Sequence, residues 1–82
     1  MEINGINYEM LDADSRAIAS IGYDAESKTL CIIFRGTEQT AYVYSNVSYQ
    51  RNTAMNYAQS LGKLFHNIRA NVTTFPFEKF SV

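Results

Sequence analysis

At 82 residues, with 46% hydrophobic and 18% charged side chains, the chain supports one folded domain with a modest core. A net charge of −1 with a single cysteine and a single histidine argues against a disordered tail, an internal disulfide or a metal cluster. No apolar stretch reaches membrane-spanning length and no basic or apolar leader opens the sequence, so a cytoplasmic protein with no membrane partner is expected.

The charges are segregated. Residues 1–26 hold Glu2, Glu9, Asp12, Asp14, Asp24 and Glu26 against Arg16 alone. The remainder holds Lys28, Arg35, Arg51, Lys63, Arg69 and Lys79 against Glu38 and Glu78. An acidic head therefore precedes a basic body, either attracting it or leaving it free to meet a polyanion.

In chain order, Asn4-Gly5 is a turn signal, and Ile6, Tyr8 and Met10 then alternate with polar residues as in a half-buried strand. Residues 1–14 are expected to form an N-terminal extension with one extra strand, and residues 11–15 a polar connection. Residues 17–23 are a second strand, in which Gly22 marks a bulge or a close backbone approach. Residues 29–35 are the clearest strand, apolar on both sides and hence central to a sheet. Gly36-Thr37-Glu38-Gln39 turns the chain into a strand at residues 40–44, where Tyr42 and Tyr44 point to one side.

After Tyr44 the period changes. Ser45, Asn46 or Ser48 is expected to cap a helix on which Tyr49, Thr53, Ala54, Tyr57, Ala58 and Leu61 recur at three- and four-residue steps. Gly62 interrupts the pattern before Leu64, Phe65 and Ile68 resume it, which predicts two short helices or one kinked helix. The aromatic tail around Pro76 is expected to fold back onto the sheet or the helices. The predicted fold class is α+β: an antiparallel meander of three or four strands, covered on one face by two short C-terminal helices.

An ordered series of residues resembles a known family. Ser15 with Ile18, Ser20-Ile21-Gly22-Tyr23-Asp24, Leu30 with Phe34, Tyr42-Val43-Tyr44, Val47, Gly62 with Phe65, and Ile68-Arg69 follow the pattern of the KTSC domain. That module occurs at the C-terminus of some lysyl-tRNA synthetases and as a stand-alone protein. The resemblance spans residues 15–80 and implies RNA binding through the synthetase context.

The residues themselves are compatible with that role. Tyr23, Tyr42 and Tyr44 are candidates for stacking bases, and Arg35, Arg51, Lys63, Arg69 and Lys79 for contacting phosphates. The competing reading puts the tyrosine rings in the core and the cations on a solvated face. An inhibitor of the kind carried by phages and mobile elements is the alternative. In it, Glu9, Asp12 and Asp14 would dock on a basic host protein by imitating phosphates. Homodimerisation through a sheet edge is compatible with either. Catalysis is not expected: Cys31 lies mid-strand, His66 sits alone on a helix, and neither a nucleophile pair nor a cofactor motif is present.

Overall fold

The computed structural model describes residues 1–13, 15–51, 53–70 and 76–82. In chain order the elements are β1 (Glu2–Ile3), β2 (Ile6–Asn7), β3 (Leu11–Asp12), β4 (Ile18–Asp24), β5 (Thr29–Phe34), β6 (Thr40–Tyr44), α1 (Tyr57–Ala70) and β7 (Phe77–Ser81). β1 and β2 form a small hairpin, and the other strands form a five-stranded antiparallel sheet in the order β3-β4-β5-β6-β7. The α+β class and the central position of β5 agree with the sequence reading. The sheet has five strands where three or four were expected, and the described residues contain one helix in place of two short ones.

Turn chemistry sets these pairings. The hairpin reverses at Asn4 and Gly5, both in the left-handed region with φ of 52° and 81°, as a tight two-residue hairpin turn requires. Between β4 and β5, Asp24 Oδ2 accepts bonds from the Ser27 amide (2.9 Å) and hydroxyl (2.5 Å), and these hold its carboxyl below the usual range. β7 closes the sheet by pairing with β6, bringing Phe77 opposite Tyr44 and Lys79 opposite Tyr42.

Both faces of the sheet are covered. On one, Ile18, Ile21, Leu30, Ile32 and Tyr44 pack with Val47 and with Leu61, Phe65 and Ile68 of α1. On the other, Cys31, Ile33, Ala41 and Val43 pack beneath Ile3 and Tyr8. Tyr8 is pinned there, its hydroxyl and that of Thr29 2.5 Å apart. The register shifts between Ile18 and Ser20, and this bulge lets Ile18 and Ile21 point to the same side. The close approach foreseen at Gly22 is a separate feature, made by Met10 and the Glu9 backbone.

The helix begins eight residues later than Tyr49, the first member of the apolar repeat. Asn56 caps it, with Oδ1 accepting the Gln59 amide at 2.8 Å. Tyr49 instead precedes α1, with its hydroxyl donating to Ser60 Oγ at 2.8 Å. α1 runs unbroken through Gly62, because burial of the Leu61, Phe65 and Ile68 stripe outweighs the glycine's cost of about 1 kcal/mol relative to alanine. Residues 71–75, with Asn71 and the tail's Phe75, lie outside the described residues.

Candidate functional site

The side chains of β6 and β7 that face the α1 side build one aromatic cluster. Phe34 meets Tyr42 at 5.1 Å between ring centroids and Phe65 at 5.7 Å. Tyr44 meets Phe65 at 5.7 Å and Phe77 at 5.3 Å, and Tyr42 meets Phe77 at 6.0 Å. The cluster runs from core to surface. Tyr44 is buried, 8% exposed, whereas Tyr42 is half-buried and Phe77 is 41% exposed. The Lys79 ammonium lies 5.6 Å from the centre of the Tyr42 ring, within cation–π range.

Tyr42 and Tyr44 share a face, as their spacing predicts, yet they differ in role. Burial pushes the Tyr44 hydroxyl above its ordinary value, and Arg69 opposes the shift. Tyr44 is therefore a core residue and its ring is not open to a stacking base. Phe77, which the sequence reading did not single out, is the exposed ring of the cluster. Its signal was the aromatic tail itself, which lacked a visible strand partner.

The remaining candidates divide among other surfaces. Tyr23 is half-buried beside Tyr49 at 5.2 Å and donates to the Val47 carbonyl at 2.6 Å. Tyr49 meets Tyr57 at 5.9 Å, and the Arg51 guanidinium lies 5.5 Å from the Tyr57 ring. These residues form a second aromatic cluster, separate from Tyr42. Lys63 is exposed on the flank of α1 near Tyr49 and Asn67. Arg35 is occupied: Nε donates to the Ser15 carbonyl at 2.8 Å and Nη2 to the Ala13 carbonyl at 3.2 Å. It ties down the β3–β4 connection before it can meet any ligand.

A groove of about 300 Å³ lies between α1 and that connection. Ala13, Ala17, Ala58 and Gly62 give it small walls, the buried Phe65 ring borders it, and His66 and Arg69 bring polar groups. Ser15, Ile18, Gly62, Phe65 and Arg69, on which the family resemblance partly rests, meet here from two ends of the chain.

Glu9 and Asp12 are exposed, and Asp14 lies outside the described residues. Cys31 is fully buried on the sheet face opposite α1, remote from the exposed His66. Among the described residues, no three His, Cys, Asp or Glu side chains converge, and no helix is long and apolar enough to cross a membrane.

A family model for the KTSC domain matches residues 14–71. The chain belongs to the KTSC domain family. No curated protein and no solved structure matches it.

Proposed function

We propose that this KTSC domain is a non-catalytic cytoplasmic module that binds single-stranded RNA on the surface formed by Tyr42, Phe77 and Lys79. The observation that supports this reading is the Lys79 ammonium 5.6 Å from the Tyr42 ring, next to the open ring of Phe77. Aromatic faces accept any base, and a neighbouring cation meets the phosphate between two of them. Arg69, exposed in the last turn of α1 and close enough to influence Tyr44, extends positive potential along the same side.

Fluorescence anisotropy with a labelled single-stranded oligonucleotide tests the proposal. Phe77→Ala weakens binding roughly tenfold, in line with about 1–3 kcal/mol per stacked base. Lys79→Gln lowers the salt slope by about one phosphate contact. Unchanged affinity in both variants overturns the reading. A host protein retained after nuclease treatment, and lost when Glu9 and Asp12 are replaced, would support the inhibitor reading instead.

A further inference from the structure

We propose that the groove between α1 and the β3–β4 connection receives one unstacked nucleobase, with that nucleotide's phosphate held by Arg69. This inference rests on the nucleic-acid reading above and adds a second element to it.

The first observation is Gly62. Glycine inside a helix is unfavourable relative to alanine, so its presence there calls for a reason. Packing does not supply one, since a Cβ at this position would meet no heavy atom within 4 Å. Backbone conformation does not either, since Gly62 has no positive φ. Gly22 shows the contrast, because a Cβ there would collide with Met10 and Glu9. What the bare position at Gly62 does provide is access to the helix backbone from inside the groove.

The second observation is how chemistry is distributed along the lining. Ala13, Ala17, Ala58 and Gly62 leave a cleft with thin walls, bordered by the buried ring of Phe65. Arg69 and His66 supply cationic or donor groups, Gln59 supplies an amide, and no described lining residue is acidic. A planar heteroaromatic ring carrying a phosphate matches both parts. The amide of Gln59 can donate to and accept from a base edge, and the Arg69 fork suits phosphate oxygens. About 300 Å³ is within the range of small-ligand sites.

The third observation is continuity. Phe65 lines the groove and also touches Phe34 and Tyr44, which lead to Tyr42 and Phe77. The groove and the rings of Tyr42 and Phe77 therefore lie on the α1 side of the sheet, toward its β3–β4 and β7 edges respectively. One base is turned out of the stack and read in the groove.

Methyl and amide NMR of the full chain, titrated with adenosine 5′-monophosphate and with a short single-stranded oligonucleotide, tests this. The Ala13, Ala17 and Ala58 methyls and the Gly62 amide shift with both probes. Gly62→Leu, which projects a good helix former into the groove, binds both roughly tenfold more weakly while its melting temperature is at or above the wild-type value. Unshifted groove signals, or undiminished binding by a folded Gly62→Leu variant, overturn the inference. If the oligonucleotide then still binds in a Phe77-dependent manner, only the groove assignment falls; if it never binds, both readings fall. Adenosine binding as tightly as its monophosphate overturns the Arg69 assignment. Groove methyls that respond to an apolar peptide carboxylate and not to the nucleotide also overturn it.

Discussion

A Cβ atom placed on Gly22 would stand 2.8 Å from the Met10 sulfur and 2.9 Å from the Glu9 carbonyl oxygen. The Met10 thioether can swing away, but the Glu9 backbone is fixed by the segment that carries Tyr8 into its buried seat. Gly22→Ala is expected to lower stability by about 1–3 kcal/mol, the usual cost of overpacking. Adding Met10→Ala recovers only part of that loss, since the carbonyl contact persists. Urea denaturation of the two variants checks this, and a wild-type midpoint for Gly22→Ala alone would count against the close approach.

The buried thiol gives a dependence on alkaline pH. Cys31 is fully buried, and burial pushes its thiol from an ordinary value of 9.0 up to about 11. The folded pKa lies above the unfolded one, so the unfolded chain releases this proton first. Stability is complete below pH 9 and falls as pH rises toward 11, by roughly 2–3 kcal/mol from this group. Above pH 10, Tyr8 and Tyr44, also raised by burial, add to the loss. Cys31→Ala should flatten the stability curve between pH 9 and 10, measured by chemical denaturation at fixed salt.

Tyr42 and Tyr44 should separate cleanly on truncation. Tyr44→Ala empties a core position and is expected to cost about 3–5 kcal/mol, whereas the half-buried Tyr42→Ala loses about 1–2 kcal/mol. Thermal melts rank the two. Equal losses would contradict the graded burial of the cluster.

Arg35 should behave as a tether. Its two bonds reach different carbonyls, Ser15 and Ala13, so the compact ammonium of Arg35→Lys cannot replace them. The expected global cost is small, about 1 kcal/mol for such solvent-accessible bonds. The local effect is larger: hydrogen exchange speeds up at the Ala13 amide, which pairs with the Ala19 carbonyl, and at the Ile18 amide, which donates to Ser15 Oγ. Unchanged exchange at both would show that the connection holds without Arg35.

The sheet's centre was legible because β5 carries apolar residues on both sides, and only a strand covered twice can be satisfied with them. What covered the second face was harder to read. Ile6, Tyr8 and Met10 alternate like a single strand, but the Asn4-Gly5 turn folds the segment into a hairpin with two-residue strands. The start of α1 was misplaced for a different reason. Tyr49 fits the helical period, yet its ring packs between Tyr23 and Tyr57 from an irregular segment, and Asn56 supplies the cap. β7 escaped notice because Glu78 and Lys79 interrupt its apolar residues, as suits an edge strand. Phe77, and with it the open part of the aromatic cluster, was missed together with that strand.

The family match spans residues 14–71, whereas the hairpin, β3 and β7 lie outside it. A fragment cut at those limits would lose Ile3 and Tyr8 from above Cys31, Ile33 and Val43, and would open the outer edge of β6. In this chain the covered sheet therefore extends beyond the family signature at both ends. Boundaries for expressing it are best drawn from the two covered faces of the sheet, not from the span of matching residues.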